Sequence, residues 1–136
     1  MFVDACAIVS IMAGEDTAGA YDTALLKAES AFTSALAAWE AIIILSRPDQ
    51  LNCRYSQAAD AVTEWLDARG VELLETRAPR QVLAHAVAVA EKHGIGKRAL
   101  SNFDCFHYAY AKTSSATLLT LDKLLRETDV PSQPHY

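Results

Sequence analysis

The sequence predicts an α/β fold, a single domain in which helices cover both faces of a central parallel sheet. Three observations predict it. Short apolar runs alternate along the chain with longer segments of helical period, the pattern of strand–helix–strand units. At 136 residues, 51% of them hydrophobic, the chain can bury one proper core without disulfides or a structural metal. Asp4 and Asp122 each stand where an apolar run ends, and the carboxyl ends of strands are where open α/β sheets bind ligands.

Residues 1–5 read as the first strand, because Phe2 and Val3 favour a pleated surface. Residues 7–12 form a short helical turn that stops at Gly14, and Asp16 is a suitable N-cap for a helix over 17–29. A brief strand over 31–33 leads into 35–45, where Glu40 is the one residue that is not apolar. A helix with that pattern is apolar all round and is expected in the core. Pro48 ends it, and 48–52 make a turn.

Ala59, Val62, Trp65 and Leu66 repeat at helical spacing within 56–69, and Gly70 supplies the stop. Residues 71–74 are a buried strand by composition. Pro79 suits the first turn of a helix that ends at His93 before Gly94. The loop 94–101 carries Lys97 and Arg98; Asn102 then caps a helix to Lys112, placing Asp104 in its first turn. Residues 116–121 are the last clear strand, a short helix spans 123–126, and 131–136 read as a tail.

The formal net charge of −5 argues against a protein that coats nucleic acid nonspecifically, so any RNA or DNA must be met by a local basic patch or through a metal. Cys6, Cys53 and Cys105 are odd in number and lack Cys-x-x-Cys spacing, which reads as reduced thiols in a cytoplasmic protein without a zinc site. No basic region precedes the apolar start and no run approaches membrane-spanning length, so neither a signal peptide nor a membrane span is expected.

The chemistry rests on four acids in apolar surroundings. Asp4 closes the first strand, Glu40 sits within the apolar helix, Asp104 lies between Phe103 and Cys105, and Asp122 follows the last strand. An ionised carboxylate in such a setting must be protonated, paired or bound to a cation. Four of them from distant parts of the chain point to one shared divalent ion, Mg²⁺ or Mn²⁺, because hard cations take carboxylate oxygens. One or two such ions lower the pKa of a bound water and stabilise a phosphate under in-line attack. Each acid also has a plainer reading: Glu40 as partner of a buried Arg, Asp104 as a helix-dipole charge, Asp4 and Asp122 as turn residues. Thr120, two residues before Asp122, is a candidate to hydrogen-bond one of the acids, and it equally suits a strand. His107, one turn after Asp104, is placed to join the outer part of the site, and the simpler expectation is that it packs in a partly exposed position.

At these residues the chain resembles the PIN-domain ribonucleases, specifically the VapC-type toxins of bacterial toxin–antitoxin pairs. Phe2-Val-Asp-Ala-Cys6 resembles the family's first strand with its metal-binding Asp, and Cys6 stands where a hydroxyl residue is usual. The segment from Ser34 to Glu40 resembles the one that bears the second acid. Asn102-Phe-Asp-Cys-Phe-His-Tyr-Ala-Tyr-Ala111 resembles the third motif, without the glycine that many members have before the Asp. Thr120-Leu-Asp122 resembles the last, and residues 128–130 resemble the strand that often ends the fold, which leaves Asp122 and nearby Asp129 as alternatives for the fourth acid.

The resemblance implies a PIN-like three-layer α/β/α domain over residues 1–136 and an Mg²⁺- or Mn²⁺-dependent endoribonuclease. It further implies a homodimer and inhibition by a cognate antitoxin protein. Asp4, Glu40, Asp104 and Asp122 would be the metal-binding and catalytic set, with Cys6, Thr120 and Asp129 as supports. Independently of the resemblance, Lys97 and Arg98 precede the Asp104 helix and are candidates to steer RNA phosphates toward the metals, with a solvated loop as the simpler account. Two further readings are a catalytically silent PIN-like binding protein and a housekeeping nuclease of the same fold. A phosphate-accepting receiver domain is disfavoured, because Asp4 has no acidic neighbour and 116–121 contain no Lys.

Overall fold

Asp4 does two structural jobs. Its backbone is extended (φ −80°, ψ 171°) and its Oδ1 accepts the Ala7 N–H at 2.8 Å, so the residue that ends β1 (Phe2–Val3) also caps α1 (Ala5–Ala13). This is a computed structural model, and it describes residues 1–135. α2 (Ala18–Lys27), β2 (Ala31–Thr33), α3 (Ala35–Leu45), α4 (Tyr55–Arg69) and β3 (Val71–Leu73) follow. The second half comprises α5 (Pro79–His93), α6 (Asn102–Thr113), β4 (Leu118–Leu119), α7 (Lys123–Arg126) and β5 (Ser132–Gln133). Gly14 and Gly70 end α1 and α4 in the left-handed region (φ 67° and 65°), where a side chain is disfavoured.

All five strands are parallel, in the order β3-β2-β1-β4-β5. Phe2 stands beside Phe32 on one side and Leu118 on the other. From β1 the chain steps outward through β2 to β3, then returns across the sheet to β4 and β5. The order reverses between β1 and β4, the strands whose ends lead into Asp4 and Asp122, which is the ligand-binding position of such sheets. On one face Val3 and Leu119 pack with Ile8, Leu25, Leu45 and Val62 of α1 to α4. On the other, Phe2 and Leu118 pack with Val82, Tyr108 and Leu125 of α5, α6 and α7. The result is the expected three-layer α/β/α domain.

Several local expectations are corrected. α3 is not enclosed all round: Trp39 is 45% exposed and meets exposed Tyr55 edge-to-face at 5.7 Å. The helix lies on a domain surface and buries only the face carrying Ala37, Ala38, Ala41, Ile42 and Leu45. β3 is an edge strand rather than a buried one, with Leu73 52% and Leu74 45% exposed. Asp16 does not cap α2; Thr17 holds the cap position, and its hydroxyl bonds Ser10 at 2.8 Å instead. Ser101, not Asn102, caps α6.

The supposed tail contains β5, formed because Leu118 N–H and Thr120 N–H donate to the carbonyls of Pro131 and Gln133 at 2.8 Å. That strand, rather than residues 128–130, ends the sheet. Tyr136, the last residue of the expected tail, lies outside the described residues.

Candidate active site

Each of the four acids belongs to a different part of the sheet's carboxyl edge, and three sit at helix starts. Asp4 caps α1 as described. Asp104 forms a reciprocal capping box with Ser101: its Oδ2 accepts the Ser101 N–H at 3.0 Å, and its own N–H donates to the Ser101 hydroxyl at 3.1 Å. Asp122 caps α7, with Oδ1 accepting the N–H groups of Leu124 (2.9 Å) and Leu125 (3.0 Å). Glu40 lies in the middle of α3, and its Oε1 meets His107 Nε2 of α6 at 2.9 Å. In all four, the scaffold's hydrogen bonds fall on one carboxylate oxygen.

The other oxygen matters most at Asp4. The residue is 1% exposed, and Oδ2 is buried with no hydrogen-bond partner. A desolvated, unsatisfied carboxylate oxygen is costly. Burial accordingly raises the Asp4 pKa to about 7, with the nearby Glu40 charge adding to the rise. The Thr120 hydroxyl, the Ala7 N–H and His107 oppose it; the hydroxyl acts on the carboxylate without a well-aligned bond to Oδ2. Burial also raises Asp104, with a further contribution from the charge of Asp122 and opposition from Ser101 and His107.

Cys6, the second residue of α1, locates the cluster. Desolvation, then the charges of Asp4, Glu40, Asp104 and Asp122, push its thiol up. Because the side chain itself is exposed, the four charges are the more informative cause: all four acids lie near enough to act on the same thiol. The acids thus share one rim without closing into a cage. Among the described residues, no group of three or more His, Cys, Asp or Glu is arranged to hold an ion. The donor set nevertheless suits a hard cation, since it supplies carboxylate oxygens and leaves Asp4 Oδ2 buried and unpartnered.

The remaining sequence candidates fall in different places. Thr120 is fully buried, and its hydroxyl accepts the Asp122 N–H at 3.1 Å, which ties the end of β4 to the α7 cap. Asp129 lies apart: Lys112 donates to its Oδ2 at 2.6 Å and Tyr108 to its Oδ1 at 2.7 Å, which lowers its pKa. Lys97 and Arg98 are exposed on the turn before Ser101.

Sequence reasoning missed Tyr21 and preferred the wrong setting for His107. His107 was expected to be partly exposed, yet it is 1% exposed and bonded to Glu40. Its spacing from Asp104 was the available signal. Tyr21 of α2 is buried, and its hydroxyl oxygen accepts the Leu121 N–H at 2.8 Å, fixing the turn that presents Asp122. Nothing local marks Tyr21, since its partner is a hundred residues away.

A parallel sheet in a three-layer domain, with an acidic, oxygen-rich site at its switch point, defines the class. The PIN domain model matches residues 1–131, and the chain belongs to the PIN domain family, a family of nucleases that generally use divalent metal ions. Among solved structures it is similar to a chain of VapBC-1 from nontypeable Haemophilus influenzae. The two are 18% identical, with a TM-score of 0.69, over 97% of this chain and 95% of that one. At that identity the likeness is one of fold. No curated protein sequence matches the chain. No helix among the described residues is long and apolar enough to cross a membrane.

Proposed function

We propose that this nuclease is an endoribonuclease dependent on Mg²⁺ or Mn²⁺ and serves as the toxin of a type II toxin–antitoxin pair. The observation that carries the metal reading is Asp4 Oδ2, a buried carboxylate oxygen without a partner at the sheet's switch point, with three further acids on the same rim. Asp4, Glu40, Asp104 and Asp122 would hold one or two ions, which when bound polarise a phosphodiester and an attacking water. The hydrogen bonds from Ala7, His107, Ser101, Leu124 and Leu125 would orient one oxygen of each acid and leave the other to the ion. Thr120 would hold the Asp4 and Asp122 ends together. Cys6 would line the mouth, and Lys97 and Arg98 would attract RNA phosphates at the start of α6. Asp122 is preferred to Asp129 as the fourth acid, because both oxygens of Asp129 are already engaged.

The toxin role is supported by the family and by the fold shared with VapBC-1, and it would bring with it a cognate antitoxin, a homodimer and a cytoplasmic setting. An acidic rim of this kind would accept an antitoxin Arg, whose planar fork pairs with carboxylates.

Purified protein should cut total cellular RNA into discrete fragments with Mn²⁺ or Mg²⁺ and stop on addition of chelator. Asp104→Asn should reduce cleavage on the order of 10²-fold or more, since a ligand charge is worth several kcal/mol at the transition state. Its melting temperature should stay close to that of the wild type, because an Asn can still accept the Ser101 N–H. Cleavage by the variant at the wild-type rate would refute the site; no cleavage by folded, antitoxin-free wild type would favour a binding-only PIN domain.

A further inference from the structure

We propose that His107 is a positioning residue: its Nε2–H holds Glu40 by Oε1 so that Oε2 is presented to the acid cluster. The inference rests on the metal-site reading above and adds to it a residue outside the acidic set. An ionised carboxylate only accepts hydrogen bonds, so the 2.9 Å contact requires the proton on Nε2. His107 Nδ1 is buried without a partner, in a ring 5.9 Å from that of Phe2 and 6.4 Å from that of Phe103, both tilted by about 35°. With aromatic neighbours and an unpartnered second nitrogen, the imidazole has one polar task, and Glu40 is its object. Glu40 itself is 18% exposed, so Oε2 has room to reach a ligand at the rim.

This bond is also the sole side-chain hydrogen bond between α3 and α6 among the described residues. It sets the spacing of Glu40 relative to Asp104, one turn before His107 on α6. His107 acts electrostatically on Asp4 and Asp104 as well, so its ring lies close to three of the four acids.

The test compares wild type with His107→Leu, His107→Gln and Glu40→Ala, using Mn²⁺ affinity by titration and the nitrogen spectrum of the imidazole. Wild type should show an Nε2–H tautomer that exchanges slowly, and Glu40→Ala should lose that signature. His107→Leu should bind Mn²⁺ roughly 10–100-fold more weakly, the usual effect of removing a group that orients a ligand. Saturating Mn²⁺ should restore much of its cleavage rate. His107→Gln, whose amide keeps a donor at that reach, should recover most of the affinity.

A wild-type Nδ1–H tautomer overturns the inference without any reference to activity, as does wild-type Mn²⁺ affinity in His107→Leu. A His107→Gln variant no better than His107→Leu, with both folded, also overturns it. If wild type binds no Mn²⁺ while its Nε2–H signature is intact, the metal-site reading fails and takes the positioning role with it, a result distinct from failure at His107 alone.

Discussion

Asp4 joins the fold to the chemistry through its two oxygens. Oδ1 closes the first turn of α1, whereas Oδ2 is buried and unpartnered, so folding without a cation favours the protonated acid. Its pKa rises from 3.8 in the unfolded chain to about 7 in the folded one. Between those values the folded state binds more protons, so stability falls as pH rises. The contribution is fully present below pH 3.8 and is lost as pH passes through about 7.

Melts of metal-free protein in chelator should therefore show a falling melting temperature from pH 5 to 8, by an amount equivalent to a few kcal/mol at about 1.4 kcal/mol per pKa unit. Asp4→Asn should remove most of that slope, leaving the smaller one of the same sign from Asp104. Added Mn²⁺ should stabilise wild type most at the alkaline end. A slope unchanged in Asp4→Asn would contradict this account. That Asp4 is buried near other acids could be read from its apolar neighbours; that His107 faces Glu40 could not, because the partners are 67 residues apart and only the packing of α3 against α6 brings them together.

At the scale of elements, the helix starts deliver the acids. Asp4, Asp104 and Asp122 each occupy a cap or first-turn position, where the N–H groups of the opening turn favour a carboxylate. The plain reading of Asp104 as a helix-start charge and the functional reading of it as a ligand are therefore compatible, since one oxygen serves each. Ser101→Ala should test this. Losing the capping box should cost about 1 kcal/mol in a denaturant melt, and it should also weaken Mn²⁺ binding by freeing the rotation of Asp104. A pure stability loss with unchanged affinity would show that the cap does not orient the ligand.

Helix boundaries were largely legible, because Gly70, Pro79 and Gly94 act locally at the ends where they stand. The cap of α6 was misplaced by one residue because Ser101 and Asn102 are both good caps by type, and only the φ of −75° and ψ of 166° at Ser101 decide between them.

For the molecule as a whole, the sheet order places the site, and its last strand is the part that composition hid. Ser132 and Gln133 have no strand-like pattern; they are a strand because β4 offers N–H groups at an edge that would otherwise lie open. Removing residues 131–136 deletes the acceptors of both Leu118 and Thr120, whose N–H groups belong to buried residues. At about 1 kcal/mol per hydrogen bond, and more when a buried donor is stranded, truncation should cost at least ~2 kcal/mol in a urea melt.

The loss should extend to the site, because Thr120 stands between Asp4 and the Asp122 cap. Mn²⁺ affinity should fall along with stability. Gln133→Ala provides the control: the carbonyl that accepts from Thr120 is backbone, and the side chain reaches only the exposed His135, so this variant should behave as wild type in both measurements. Truncation that left melting and Mn²⁺ binding unchanged would mean that β4 supports Thr120 without β5, and that the site depends on the other four strands alone.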